Sequence, residues 1–133
     1  MPDWTALIIE DEFLLAMELE AILKGFGFIV CDAVATEDDA VEAAWRHRPH
    51  LITADVRLLQ GTGIGAVARI AERHEACVIY VTGDWQQVEA HAAGALCVAK
   101  PFDANGIARA IERGLPQIAG PVREALTQSL RRT

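Results

Sequence analysis

The sequence has no long hydrophobic run and no cluster of basic residues. Its apolar stretches are strand-sized, far short of the ~20 residues that a membrane-spanning helix needs, and the N-terminus lacks the features of a signal peptide. Acidic residues outnumber Lys and Arg by 19 to 12, giving a net charge of −7, whereas nucleic-acid binders need clustered cations. We therefore expect a cytoplasmic protein that binds neither membrane nor nucleic acid.

Metal-binding patterns of cysteine and histidine are also missing. The cysteines Cys31, Cys77 and Cys97 each lie in an apolar run, without the C-x-x-C spacing of zinc or redox sites. The 4 histidines show no ligand-like pairing. We predict that all three cysteines are small buried hydrophobic residues.

What the chain does contain is a regular alternation of short apolar runs and amphipathic stretches. A chain of 133 residues with 52% hydrophobic and 23% charged residues is typical of one compact domain. Five strand–helix units in a row predict an α/β fold, a doubly wound parallel sheet with helices on both faces. The predicted strands are 5–9, 29–33, 51–54, 77–81 and 95–98, and the predicted helices are 13–26, 38–47, 64–74, 85–93 and 104–115.

Local signals support the helix boundaries. Gly27 provides a stop after the first helix, and Thr36 with Asp39 forms a capping pair at the second. The fourth helix offers little besides Val88 to pack, so we expect it to be the most mobile. We divide the chain into a domain at 1–116 and a short tail at 117–133, which is amphipathic in part, a candidate helix, and too short for an output domain.

Polar side chains follow four of the five predicted strands. Glu10 and Asp11 follow the first strand, Asp55 follows the third, Thr82 and Gly83 the fourth, and Lys100 the fifth. Ligands of open parallel sheets bind at the carboxyl ends of the strands, so these side chains should meet in one crevice.

Three carboxylates in one crevice need a compensating positive charge. At about 5 Å and an effective dielectric near 20, each like-charged pair costs roughly 3 kcal/mol. Mg²⁺ binds one or two carboxylates and phosphate oxygens, and Lys100 adds a second cation. Together they suit phosphoryl transfer to a carboxylate nucleophile, Asp55, with Thr82 as a hydroxyl donor and Gly83 leaving room for the phosphoryl group and water.

These motifs resemble those of response-regulator receiver domains over about residues 5–116. The matching segments are IIEDE (8–12), ITADVRL (52–58), YVTG (80–83) and AKPF (99–102). The resemblance implies the flavodoxin-like, chemotaxis-type sheet with strand order 2-1-3-4-5 and five helices.

The resemblance also implies a role for each site residue. Asp55 would be the phosphoacceptor, Mg²⁺ would be held by Asp11, Asp55 and the backbone carbonyl of Arg57, and Glu10 would act through a metal-bound water. Thr82 and Lys100 would contact the phosphoryl oxygens. The donor would be a histidine kinase or a histidine phosphotransfer protein.

Some positions vary or depart from the family pattern. Arg57 and Asp84 occupy positions whose side chains tune phosphate hydrolysis in this family. Cys97 stands where chemotaxis-type receivers carry a Tyr or Phe that moves with the Thr. The phrase YVTGDW (80–85) resembles instead a subgroup marked by Phe-Ala-Thr-Gly, a hydrophobic residue and Tyr, with Trp85 as a candidate replacement for the switch aromatic.

The subgroup resemblance implies a stand-alone receiver that signals through protein contacts. We expect a monomer or weak homodimer with no enzymatic activity beyond its own phosphorylation and dephosphorylation. The main alternative is a domain of this fold that binds a partner without being phosphorylated. Two others are less compatible with the residues. An aspartyl phosphatase needs a D-x-D pattern, whereas Asp55 is followed by Val56 and Arg57, and a flavin or nucleotide site needs a phosphate-binding loop where this chain has Glu10, Asp11 and Glu12.

Overall fold

A computed structural model of the chain describes residues 3–131. The first two residues of the predicted domain and the last two of the tail lie outside it. It contains five strands, β1 Thr5–Ile9, β2 Ile29–Val34, β3 Leu51–Ala54, β4 Cys77–Thr82 and β5 Leu96–Ala99. The helices are α1 Phe13–Gly25, α2 Glu37–His47, α3 Gly63–Ile70, α4 Trp85–His91, α5 Ala104–Gly114 and α6 Pro121–Arg131.

The strands form one parallel sheet in the order β2-β1-β3-β4-β5, which confirms the predicted fold and strand order. Successive side chains of a strand point to opposite faces, and both faces of β1 are buried. Ala6 and Ile8 pack with residues of α1, α5 and α6, while Leu7 and Ile9 pack with residues of α2, α3 and α4. The helices therefore cover both faces of the sheet.

Helix boundaries agree with the local signals, but α3 ends at Ile70 rather than at residue 74 and α4 ends at His91 rather than at residue 93. Asp39 N–H donates to Thr36 Oγ1 at 3.1 Å, and Gly27 takes a φ of +98° just beyond α1. Helix α3 ends at Ile70, where the hydrogen bonds shift to carbonyls three residues back: Glu72 N–H donates to Arg69 O at 3.2 Å and Arg73 N–H to Ile70 O at 3.1 Å.

Residues 117–131 pack onto the domain. Val122 and Leu126 of α6 are buried in the same cluster as residues of α1 and α5, and Ile118 is buried just before the helix. A Cβ on Gly27 would lie only 3.2 Å from Cγ2 of Val122, so glycine at this position leaves room for the Val122 side chain. The segment set apart as a tail thus contributes side chains to the core of the described chain.

The cysteine prediction is wrong for Cys97. Cys31 and Cys77 are partly buried, but Cys97 is exposed. It lies on the edge strand β5, where alternate residues face solvent. None of the helices within residues 3–131 has the length and apolar character required to span a bilayer.

Candidate functional site

The sheet itself positions the candidate site residues. Hydrogen bonds of the ladder continue one residue past the strands: Glu10 N–H donates to Val34 O, Asp55 N–H to Ile9 O, and Lys100 N–H to Thr82 O. Their distances are 2.8, 2.9 and 3.1 Å. Backbone atoms held in this way place the side chains at the carboxyl edge of the sheet, as the sequence indicated.

The three carboxylates meet at this edge. One oxygen each of Glu10, Asp11 and Asp55 lies within 4.8 Å of the other two, so a single cation could contact all three. Glu10 and Asp55 are buried, while Asp11 is partly exposed. The cluster is the hard, all-oxygen donor set that Mg²⁺ prefers.

Lys100 provides the positive charge inside the cluster. Its Nζ donates to Asp55 Oδ2 at 2.6 Å and lies 2.8 Å from Glu10 Oε1. The other Asp55 oxygen, Oδ1, accepts from the Val56 N–H at 2.7 Å. Glu10 Oε1 is buried and receives no well-aligned hydrogen bond within residues 3–131, so its contact with Lys100 is a charge contact.

The proton affinities reflect this crowding. Burial raises the pKa of Glu10 from 4.5 to about 7, although Lys100 and the Glu12 N–H oppose that shift. Burial would lower the pKa of Lys100, but its hydrogen bond to Asp55 and its contact with the Glu10 carboxylate outweigh burial and leave that pKa raised. One ammonium against three carboxylates leaves an excess of negative charge, which favours binding of a divalent cation.

An open hollow of about 590 Å³ lies above the cluster, and its lining includes Thr82, Gly83, Asp84 and Arg57. Thr82 is buried, and its Oγ1 accepts from the Asp84 N–H at 2.9 Å. Apart from Gly83 itself and its two chain neighbours, no described residue has an atom within 4 Å of a Cβ built on Gly83, so this position is open. The hollow has room for a phosphoryl group beside Asp55.

Arg57 and Asp84 approach each other from two strand ends. Arg57 Nη2 lies 3.3 Å from Asp84 Oδ2. The Arg57 side chain is 84% exposed, so the pair contributes at most about 1 kcal/mol to stability. Its backbone follows Val56, whose carbonyl accepts from Gly63 N–H at 2.9 Å.

The two candidate switch residues lie outside the carboxylate cluster. Trp85 begins α4 directly after Asp84, and 54% of its surface is exposed. Cys97 is exposed on β5 as a residue. Partial burial of its thiol group, together with the charge of Glu89, raises the pKa of that thiol. Val88 is the buried residue of α4, in agreement with the sparse packing expected from the sequence. The mobility of that helix stays a prediction.

Two residues at or near the site were missed by sequence reasoning as functional groups. Glu12 lines the hollow. Glu37, in the first turn of α2, makes side-chain contacts with the segment that follows β3. A sequence signal for Glu37 was the alternation of glycines at 61, 63 and 65, because closely spaced glycines indicate that other groups approach the backbone there.

Comparisons with known proteins agree with this geometry. The model of the response regulator receiver domain matches residues 6–112. The phyllosphere-induced regulator PhyR of Methylorubrum extorquens is 36% identical over 113 residues, 82% of this chain and 42% of that relative. The chain therefore spans less than half the length of this curated relative.

Solved structures show the same fold. The solution structure of the receiver domain of Erythrobacter litoralis PhyR has 30% identity and a TM-score of 0.81, over 91% of this chain and 96% of that one. The receiver domain of the sensor histidine kinase PA1611 from Pseudomonas aeruginosa, solved with magnesium in its active-site cleft, has 27% identity and a TM-score of 0.76. That match covers 86% of this chain and 99% of the other. On its motifs, its fold and these matches, the chain belongs to the receiver-domain family of two-component response regulators.

Proposed function

We propose that the chain accepts a phosphoryl group on Asp55 from a phosphohistidine donor, with Mg²⁺, and signals through protein contacts that depend on this phosphorylation. The observation that carries the proposal is the convergence at Asp55. Carboxylate oxygens of Glu10 and Asp11 lie within 4.8 Å of an Asp55 oxygen, and Lys100 Nζ lies 2.6 Å from Asp55 Oδ2. These groups match the clamp that phosphoryl transfer to a carboxylate requires.

In the proposed reaction an oxygen of the Asp55 carboxylate attacks phosphorus. The new O–P bond forms as the P–N bond of phosphohistidine breaks, and the electron pair of that bond stays on the imidazole nitrogen. Lys100 would move its contact from Asp55 to a phosphoryl oxygen. Thr82 already accepts from Asp84 N–H, so its own hydroxyl proton can be donated to a second phosphoryl oxygen.

Mg²⁺ would be held by Asp11, Asp55 and the backbone carbonyl of Arg57, with Glu10 acting through a bound water. The metal would supply positive charge to balance the carboxylates and the phosphoryl oxygens. The excess negative charge of the carboxylate cluster supports this assignment. The magnesium in the related PA1611 receiver domain supports it as well.

Loss of the phosphoryl group would follow attack of water on phosphorus, which restores the Asp55 carboxylate and releases inorganic phosphate. Gly83 leaves space for that water, and the Arg57–Asp84 pair borders its approach. We assign these three residues a modulating role. Trp85, at the start of α4, is our candidate for the aromatic that responds to phosphorylation in place of Cys97.

The donor would be a histidine kinase or a histidine phosphotransfer protein, and the signal would pass to a protein partner that contacts the receiver. The alternative is a partner-binding domain that is never phosphorylated. The experiment that tests phosphorylation of Asp55 also tests this alternative.

That experiment is intact-protein mass spectrometry after incubation with acetyl phosphate or phosphoramidate and Mg²⁺. We expect the wild type to gain the mass of one phosphoryl group, and the Asp55→Asn variant to gain none. Asp32→Asn is a matched control, because Asp32 bonds to Ala33 N–H on β2 away from the hollow. A wild type that gains no mass with either donor, or an Asp55→Asn variant that gains as much, would contradict the proposal.

A further inference from the structure

The loop between β3 and α3 carries the Arg57 carbonyl, and its base is tightly closed. Gly63 N–H donates to Val56 O at 2.9 Å. A Cβ on Gly63 would overlap the Asp55 carbonyl, so this position has room for glycine alone. Arg57 is also paired with Thr62 in an isolated antiparallel bridge. The position of the Arg57 backbone is therefore tied to that of Thr62.

Thr62 is in turn held by the carboxylate of Glu37. Glu37 Oε1 accepts from the Thr62 N–H at 3.0 Å, and Oε2 accepts from Arg69 Nη1 at 3.0 Å. The Glu37 backbone N–H donates to Gln60 O at 2.8 Å. The side chain is only 18% exposed, and the bond from Thr62, followed by that from Arg69, lowers the pKa of this carboxyl group.

The glycines of the loop are shaped around this carboxylate. A Cβ on Gly61, or on Gly65 at 2.6 Å, would strike the Glu37 side chain. Gly61 also has a φ of +73°, in the left-handed region that favours glycine. Two separate glycines thus make room for a single carboxylate, which lies 25 residues away in sequence from the N–H it binds.

We infer that Glu37 is a positioning residue for the Mg²⁺ site: it holds Thr62, and through the Thr62–Arg57 bridge it fixes the carbonyl that would bind the metal. This inference rests on the proposed function. Mg²⁺ demands near-ideal octahedral geometry, so a ligand on a loosened loop binds it less well. Groups that orient metal ligands without touching the metal change affinity by about 10–100-fold when they are removed.

The test compares Mg²⁺ dissociation constants from isothermal titration calorimetry with melting temperatures. We expect Glu37→Ala to weaken Mg²⁺ binding about tenfold and to speed amide exchange at Thr62. The Mg²⁺ affinity of Glu37→Gln should lie between those of the wild type and Glu37→Ala, because the amide oxygen can still accept from Thr62 N–H while the charge that pairs with Arg69 is lost. Should Glu37→Ala fail to fold, Glu37→Gln and Arg69→Gln carry the test.

Two control variants separate positioning from general stability. Glu42 lies on the same helix as Glu37 and forms an exposed pair with Arg46 at 3.9 Å. The Glu42→Ala variant should leave Mg²⁺ affinity unchanged. Arg123→Ala removes contacts of α6 with Glu112 and with the carbonyl of Ile118, and should lower the melting temperature without weakening Mg²⁺ binding.

The outcomes are distinguishable. A Glu37→Ala variant that melts lower but binds Mg²⁺ like the wild type would show that Glu37 is structural alone. Equal weakening in Arg123→Ala would also overturn the inference. If the wild type binds Mg²⁺ and gains a phosphoryl group while the Glu37 variants match it, the inference fails and the proposed function stands. A wild type with neither property would remove both.

Discussion

Neutralising Asp11 should stabilise the folded chain while removing its capacity to bind Mg²⁺. Its carboxylate has no ion-pair partner among residues 3–131, yet one of its oxygens lies within 4.8 Å of oxygens of Glu10 and Asp55. Two unit charges at that distance repel by ~1 kcal/mol at the dielectric of water and by ~3 kcal/mol at an effective dielectric of 20.

The partial exposure of Asp11, and the contacts of Lys100 with Glu10 and Asp55, reduce the repulsion toward the lower figure. Without Mg²⁺, we therefore expect Asp11→Asn to raise the free energy of unfolding by about 1–2 kcal/mol. This corresponds to an increase in Tm of roughly 4–8 °C for a domain of this size. The isosteric amide changes the charge and leaves the packing almost unaltered.

The assay is thermal and urea unfolding, first with EDTA and then with increasing Mg²⁺. The wild type should gain stability as Mg²⁺ rises, because the ion binds the folded state, whereas Asp11→Asn should gain almost none. Glu72→Gln, an exposed change of the same type beyond α3, controls for the smaller net charge. An Asp11→Asn variant that is less stable than wild type in EDTA, or that gains as much from Mg²⁺, would refute the reasoning.

Three further predictions concern the site and the core. Lys100→Met should lower the Mg²⁺-free stability by about 3 kcal/mol, because it breaks a mostly buried pair with Asp55; urea unfolding that shows no loss would contradict this. Burial raises the pKa of Glu10 from 4.5 to about 7, so between these pH values the folded chain binds more protons than the unfolded chain. Without Mg²⁺, the contribution of Glu10 to the free energy of unfolding should therefore fall by up to about 3 kcal/mol as pH rises through this range. Glu10→Gln should remove that part of the slope in urea unfolding at several pH values, and an unchanged slope would disprove it. Leu126→Ala, at a fully buried position of α6, should cost about 2–5 kcal/mol by thermal unfolding, and a much smaller loss would show that α6 is not part of the core.

The proposed chemistry and the packing of the chain have different origins. Asp55 and Lys100 lie directly after strands, and a parallel sheet brings its strand ends to one edge, so their meeting could be predicted from sequence positions. By contrast, the contact between Glu37 and Thr62 joins the first turn of α2 to the N-cap of α3, and neither residue type nor spacing encodes it. The glycine alternation at 61–65 indicates close packing without saying which group is packed there.

Exposure of Cys97 and burial of α6 were likewise decided by neighbours. An apolar run predicts burial, but β5 is an edge strand and its alternate residues reach solvent. The apolar residues Ile118, Val122 and Leu126 become core only because α1 and α5 offer them a surface, on which Gly27 leaves space for Val122.

By itself the sequence determined the order of strands and helices and the polar residues at the strand ends, because hydrophobic periodicity and strand-end position are local properties. Only the tertiary structure decided that Lys100 contacts both Glu10 and Asp55, that Glu37 holds the loop after β3, and that α6 completes the core. Those features depend on distances between segments far apart in the chain, and such distances exist only once the sheet and its helices have packed.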